Sequence, residues 1–205
     1  VGIDLSSLTI LVGALSVGIG FGLQNIVSNF ISGIILIFEK SIQVGNIIEI
    51  NNQFKGRVTQ INMRSSVITT FDNIDIIIPN STLMQNNVIN LTFSDDIRRL
   101  HIPFSVAYGT NSDFIIKLIL DSLKETQLVY IREDESRQAK IWMTGMGASS
   151  VEYKLLVWVN ANTNRFGLDS SGMSDFLIFI YNTLQNNNIE IPFPQMEIHL
   201  RKGEI

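Results

Sequence analysis

The sequence contains no cysteine, and no lysine or arginine precedes Lys40. Without cysteine the chain can form neither a disulfide framework nor a thiolate metal site. The missing N-terminal basic residues argue against a secretory signal peptide, which begins with a positively charged segment. Acidic residues outnumber basic ones, 19 to 15, and this balance argues against a groove that tracks nucleic-acid phosphates.

Charge of either sign is absent from Leu5 to Phe38, a run of 34 residues. Because roughly 20 apolar residues span a bilayer as a helix, the run predicts a membrane helix. At 1.5 Å per residue the helix would be about 50 Å long, against a hydrocarbon core of about 30 Å. We therefore expect a bend after the first polar pair, Gln24 and Asn25. The second half would then lie along the membrane surface or against the body that follows.

Two further features concern topology and chain length. Lys40, Lys55 and Arg57 follow the uncharged run, so the positive-inside rule predicts a cytoplasmic body. The first residue is Val rather than Met, and we expect this chain to be part of a longer one.

Small residues crowd the first half of the run, which reads GALSVGIGFGLQNIVSN from Gly13 to Asn29. At 100° per residue, a narrow stripe of larger side chains forms along one line of the helix: Ile10, Val17, Phe21 and Gln24. Small residues flank that stripe on both sides: Gly13, Ser16 and Gly20 on one, Ala14 and Gly18 on the other, with Gly22 further round. Such residues let membrane helices approach closely. The pattern fits a ring of helices around a pore, and it fits a dimerising anchor equally well.

Other site interpretations are weaker. Gly18-x-Gly20-x-Gly22 resembles part of a dinucleotide fingerprint, with Glu39 at a distance suited to a ribose, but no strand or turn precedes it. His101 and His199 have no acidic or histidine partner at ligand spacing, so neither predicts a metal or catalytic site. The sequence therefore predicts no enzyme, no cofactor and no metal.

The remainder of the chain predicts two folded regions. Four β-rich segments indicate a small barrel or sandwich: VGNIIEI, GRVTQIN, SSVITTF and IDIIIPN, after which STLMQ suggests one helical turn. From Arg98 the elements alternate as βαββαβ, which predicts a ferredoxin-like α/β unit. An RNA-recognition domain or an Sm-like RNA ring shares these patterns. However, SVEYKLLVWV lacks the required RNP1 motif, and neither alternative accounts for the apolar run.

The segment GFGLQNIVSNFISGIILIFEKSIQVGNIIEI resembles the junction of pore helix and β-domain in the small-conductance mechanosensitive channel (MscS-like) family. IIIPNSTL, NVIN, VAYGTN and IPFPQMEIHL extend the resemblance over essentially the whole chain. It implies a homoheptameric channel of the bacterial inner membrane, multi-pass in the parent chain. Membrane tension would open it to release ions and small osmolytes during hypo-osmotic shock. Membrane lipid would be a partner, and nucleic acid would not. The alternative is a membrane-anchored cytoplasmic scaffold or binding protein that conducts nothing.

The resemblance also implies an organisation and a set of roles. It implies a kinked pore-lining helix over 1–40, a β-domain with an Sm-like barrel over 41–94, an α/β domain over 95–193 and a C-terminal barrel strand over 194–205. The fold class is thus a membrane helix plus mixed β and α+β. Rings of Val17 and Phe21 would close the pore. Gly13, Ala14, Ser16, Gly18 and Gly20 would pack adjacent helices, with a kink at Gln24 and Asn25 and a second flexible point at Gly33.

Two positions depart from the family pattern. Leucine is frequent at both seal positions, which are Val17 and Phe21 here. Glycine is common at the kink, where this chain has Asn25.

Overall fold

The computed structural model describes residues 5–162 and 170–196. Within these limits the chain forms two compact units, one up to Asp95 and one from Asp96. Each unit has its own hydrophobic core.

The uncharged run forms one α-helix, α1, Leu5–Glu39. Its segment Leu8–Glu39 is long and apolar enough to cross a membrane. Helical backbone continues through Gln24, Asn25 and Gly33, so both halves of the run belong to one helix. No proline lies in the run to remove a backbone donor. A bend that preserves the helical hydrogen bonds remains a prediction.

The helix ends in a left-handed residue. Lys40 has φ +55°, and its N–H donates to the Leu36 carbonyl at 3.2 Å. A left-handed residue after the last turn satisfies a terminal carbonyl and turns the chain away from the helix axis. The chain thereby enters the β-rich unit.

The β-rich unit is a five-stranded antiparallel sheet with a short helix. Its elements are β1 Ile47–Ile50, β2 Phe54–Ile61, β3 Ser65–Thr70, β4 Asp75–Pro79, α2 Asn80–Gln85 and β5 Val88–Asn90. The strand order is β4-β3-β2-β1-β5. The four predicted strands and the helical turn are confirmed, whereas β5 was missed. Among the described strands, β4 and β5 end the sheet rather than pair, so the Sm-like barrel stays a prediction.

Asparagine turns and aliphatic side chains explain this sheet. Asn51 and Asn52 take φ of +50° and +55° between β1 and β2, a conformation that asparagine tolerates better than most residues. The core of the unit joins residues of the sheet, of α2, of the end of α1 and of the segment that follows α1: Leu36, Ile42, Ile48, Ile50, Val58, Ile68, Ile78 and Leu83. Burial of Leu36 fastens the end of α1 to the sheet.

The second unit is a three-stranded antiparallel sheet with two helices. Its elements are β6 Ile97–Val106, α3 Ser112–Glu125, a 3₁₀ turn Glu135–Arg137, β7 Lys140–Met146, β8 Val151–Asn160 and α4 Ser170–Asn186. The strand order β6-β8-β7 places β8 between the two strands joined through α3. That is the arrangement of a split βαβ unit.

The end of this unit lies partly outside the described residues. Of the predicted last strand PQMEIHL, residues 194–196 are not strand, and residues 197–200 fall beyond the described part. The complete ferredoxin-like order and the C-terminal barrel strand therefore stay predictions.

Alternation on β8 builds the core of the second unit. Every second residue from Val151 to Val159 is buried, as the sequence pattern predicts. These side chains pack against helix residues at helical spacing, namely Ile115, Ile119 and Leu123 of α3 and Phe176, Ile180 and Leu184 of α4. At the start of α3 the Asn111 side chain accepts from the Phe114 N–H at 3.1 Å, a standard N-cap. The helices cover one face of the sheet.

Candidate pore helix and its junction with the β-domain

The first half of α1 is exposed in the described part of the chain. Every residue from Leu8 to Val27 is exposed. Within the predicted stripe, Val17 is 59% exposed and Phe21 74%. An apolar surface of this extent marks contact with lipid or with other protein. The structure thus leaves both predicted seal side chains available to face a partner or an axis.

The predicted packing residues have open space around them. Apart from its chain neighbours and the backbone of its own helix, a Cβ added at Gly13, Gly18, Gly20 or Gly22 would meet no atom within 4 Å. Each helical glycine costs roughly 0.5–1 kcal/mol relative to alanine, and no contact within the described chain requires it. Ser16 is also exposed, and its hydroxyl donates to the Val12 carbonyl at 2.7 Å, which satisfies it inside the helix. The small residues therefore have no role in the packing of a single copy.

Packing begins one turn beyond the predicted kink. The last fully exposed residue of the first half is Val27, whereas Ser28 and Asn29 are half-buried, and Ser32, Gly33 and Leu36 are buried. Gln24 and Asn25 therefore lie at the end of the uncovered part of α1, just before the covered part begins. An isolated helix segment bends more readily than one held by tertiary contacts.

A polar contact joins α1 to α2 where the packing begins. The Asn29 side-chain oxygen accepts from the backbone N–H of Ser81 at 3.0 Å and from its hydroxyl at 2.9 Å. The Asn29 amide nitrogen donates to the Asn25 carbonyl at 2.8 Å. Neither Asn29 nor Ser81 was predicted from the sequence as a functional residue. The sequence feature that could have identified Asn29 was its position in an apolar run, one helical turn after Asn25.

Gly33 lets the helix approach the sheet closely. A Cβ at this position would lie 2.5 Å from the Asn80 Nδ2 atom and 2.5 Å from the Met63 carbonyl oxygen. Any other residue would force the helix or the β2–β3 turn to move. The geometry thus gives Gly33 a packing role, and its predicted flexibility remains a prediction.

Asn80 organises the surface on which Gly33 rests. The residue is fully buried. Its Nδ2 donates to the Asn62 and Met63 carbonyls at 2.8 and 3.1 Å, and its Oδ1 accepts from the Ser66 hydroxyl at 2.8 Å. A buried amide is stable only when its polar atoms are paired in this way. Asn80 therefore holds the β2–β3 turn, β3 and the start of α2 in one arrangement.

The described residues contain no cluster of metal-ligating side chains. Across 5–162 and 170–196, no three histidine, aspartate or glutamate side chains converge as ligands. His101 lies exposed on β6, and His199 lies outside the described residues. The glycines of the dinucleotide-like fragment lie within the continuous helix α1, without the strand and turn that such a site requires.

Known proteins are similar to this chain in sequence. The family described as the β-domain of mechanosensitive ion channels matches residues 25–93, which cover the second half of α1 and the β-rich unit. The mechanosensitive channel MscK of Escherichia coli is 34% identical over 99% of this chain and 18% of its own length. The miniconductance channel MscM of the same organism is 30% identical over 98% of this chain and 17% of its own length.

A solved structure extends the likeness to the fold. The crystal structure of Helicobacter pylori MscS in its closed state superposes with a TM-score of 0.85, at 26% identity over 98% of this chain and 76% of that one. The fold and the apolar helix are of the MscS-like type. The chain belongs to the MscS-like family. It spans about a fifth of the length of MscK and MscM.

Proposed function

We propose that the protein containing this chain is a mechanosensitive ion channel of the bacterial inner membrane, assembled as a homoheptamer. In this proposal α1 lines the pore, and rings of Val17 and Phe21 seal it. The observation that carries the proposal is the exposure of the first half of α1. Its Val17–Phe21 stripe is exposed, and the glycines beside that stripe are not required by any contact within the described chain. The family relationship supports the same assignment.

The seal needs only apolar side chains. When a pore is narrow and lined by such groups, water leaves it, and ions lose the hydration that would let them pass. Val17 and Phe21 are one helical turn apart, so seven copies would form two successive rings. Because the Phe21 side chain is the larger of the two, the Phe21 ring would be the tighter constriction.

Opening would follow from tension. Membrane tension favours whichever state has the larger in-plane area, because a force shifts an equilibrium only by its different effect on the two states. The first half of α1 would slide and tilt along seams of Gly13, Ala14, Ser16, Gly18 and Gly20. The second half would stay fixed through Asn29 and Gly33. Bending would then concentrate at Gln24 and Asn25, where cover by the β-domain ends. Ions and small osmolytes would leave the cell through the open pore during hypo-osmotic shock.

A leak assay tests the seal. The parent protein and its Val17→Ser and Phe21→Ser variants are reconstituted in liposomes loaded with potassium, and efflux is followed without applied tension. Both variants should leak, because a hydroxyl lets water enter the constriction. Ile19→Ser is the matched control, since Ile19 is also exposed but lies on the opposite face of α1. Tight vesicles with both seal variants, or an equal leak with Ile19→Ser, would refute the assignment of Val17 and Phe21.

A further inference from the structure

The Asn90 side chain joins two parts of the first unit that lie far apart in sequence. Its Nδ2 atom donates to the Ser41 carbonyl and to the Asn46 Oδ1 atom, both at 3.0 Å. Both acceptors lie in residues 40–46, which join α1 to β1 and are called here the connector. Asn90 itself is the last residue of β5. One side chain therefore bridges the segment that follows the membrane helix and the strand that ends the sheet order beside β1.

The oxygen of the same side chain serves a different segment. The Asn90 Oδ1 atom accepts from the Thr92 N–H at 3.2 Å, and the Thr92 hydroxyl oxygen accepts from the Ile47 N–H at 2.9 Å. Ile47 is fully buried at the start of β1. The Asn90 oxygen thus fixes the chain that leaves β5, whereas the Asn90 nitrogen fixes the connector. A substitution that replaces the nitrogen alone separates the two contributions.

Side chains hold the connector in place, because its residues lie in neither helix nor strand. The Gln43 N–H donates to the Asn46 Oδ1 atom at 2.9 Å, the same atom that accepts from Asn90. The Gln43 side-chain amide donates to the Lys40 carbonyl at 3.2 Å. Asn46 Oδ1 is therefore shared between the turn of the connector and the Asn90 side chain. Polar groups linked in this way stabilise one another's geometry.

The connector lies on the covalent path from α1 into the β-domain. Leu36 of α1 and Ile42 of the connector are both buried in the core of the unit. Consecutive residues stay about 3.8 Å apart whatever the conformation. A displacement of the end of α1 across the sheet therefore has to move the connector, and this movement breaks the hydrogen bonds that Asn90 donates.

We infer that Asn90 is a positioning residue for gating, whose Nδ2 atom holds the connector, and with it the second half of α1, against the β-domain while the first half of the helix moves. The inference rests on the proposed function, in which tension moves the first half of α1 against a fixed second half. If the second half yields, part of the work done by tension displaces it, and less remains to favour the open state.

Asn90→Asp tests the nitrogen by itself. The variant keeps an oxygen for the Thr92 N–H and replaces the donor with a second acceptor, which faces the Ser41 carbonyl. The parent protein is reconstituted at pH 8, well above the ordinary pKa of an aspartate. The tension at half-maximal opening should rise. Backbone amides of residues 40–46 should exchange hydrogen about three- to tenfold faster, as expected when an ordinary hydrogen bond is lost.

Asn46→Asp should act in the opposite direction. The new carboxylate keeps an acceptor at the position of Oδ1, and it binds the Asn90 and Gln43 donors more strongly because hydrogen bonds to charged groups are stronger. Exchange in the connector should slow, and the tension at half-maximal opening should fall. Asn86→Asp is the matched control, since the same chemical change there removes a donor to the Thr82 carbonyl of α2. Both readouts should keep the parent's values in the control.

The tension measurement separates a role in gating from a role in stability. If Asn90→Asp speeds exchange in the connector but opens at the parent's tension, Asn90 stabilises the fold alone and the inference is overturned. A shift of the same sign in Asn90→Asp and Asn46→Asp would overturn it as well. If Asn90→Asp does not fold, an unchanged threshold in Asn46→Asp has the same consequence. A parent that passes no current under tension would instead contradict the proposed function, and the inference with it.

Discussion

The Asn29 side-chain oxygen accepts two hydrogen bonds from Ser81, one from its backbone N–H at 3.0 Å and one from its hydroxyl at 2.9 Å. The two residues are 52 positions apart in sequence. Asn29 belongs to the uncharged helix α1, and Ser81 to the first turn of α2. This pair therefore ties the pore-helix candidate to the β-domain at the place where α1 first becomes covered.

Removing the Asn29 acceptor should loosen the start of α2. Asn29→Ala leaves the Ser81 N–H without its partner, which costs about 1–2 kcal/mol for a lost helix cap. The readout is hydrogen exchange of peptides covering residues 80–85, which should become roughly tenfold faster, since about 1.4 kcal/mol corresponds to tenfold in an opening equilibrium. Asn86→Ala is the control, because its side chain bonds only locally to the Thr82 carbonyl. Unchanged protection in Asn29→Ala would show that the contact contributes nothing.

Two glycines of α1 should respond oppositely to alanine. Gly33→Ala places a Cβ 2.5 Å from the Met63 carbonyl oxygen and should destabilise the β-domain by about 1–3 kcal/mol, as overpacking does. Gly22→Ala meets open space in one copy and gains about 0.5–1 kcal/mol of helix propensity. Thermal unfolding of the purified parent protein measures both. Equal midpoints for Gly33→Ala and the parent would contradict the close approach.

Enlarging the helix seam should alter gating. Gly20→Leu adds a bulky side chain at a site that is empty in a single copy, and in an assembly it would push neighbouring helices apart. The tension required to open the channel should change relative to the parent. Ile19→Leu, on the opposite side from the stripe, should leave it unaltered. A normal threshold in Gly20→Leu would remove the argument that glycine seams pack the pore.

Acid should destabilise the second unit through His101. The folded-state pKa of His101 lies below the ordinary value of 6.5, first because the folded chain partly desolvates the ring and then because Arg99 and Lys154 are positively charged. As pH falls through 6.5, the unfolded chain takes up a proton that the folded chain does not, so stability decreases. The loss levels off below the folded-state pKa. Melting temperatures from pH 7.5 to 5.5 should fall more for the parent than for His101→Gln. Parallel curves would show that His101 does not contribute.

Local patterns predicted most of the elements because those elements are determined locally. The alternation of apolar residues from Val151 to Val159 is visible in the sequence alone and determines the buried face of β8, and Asn111 caps the start of α3. The three-residue strand β5 was missed because it is defined by pairing with β1 rather than by its own composition. Gly33 and Asn80 were not recognised as a packing pair for the same reason. Their relationship exists only after α1 lies on the β2–β3 turn, which no sequence window contains.

The bend expected in α1 at Gln24 and Asn25 stays a prediction. The polar pair Gln24–Asn25 interrupts hydrophobicity, but hydrogen bonding along a helix does not require hydrophobic side chains, so helical backbone continues. What changes at this point is the cover from the β-domain. The hydrophobic periodicity of the sequence does not show which part of α1 the β-domain covers.

The most direct test of the channel assignment is electrical. The complete parent protein is reconstituted in liposomes, and excised patches are recorded under graded suction. We expect reversible current steps whose open probability rises with tension, and steps at lower or zero tension for Phe21→Ser. Patches that stay silent up to rupture, with insertion and assembly verified, would contradict the account and favour a membrane-anchored scaffold.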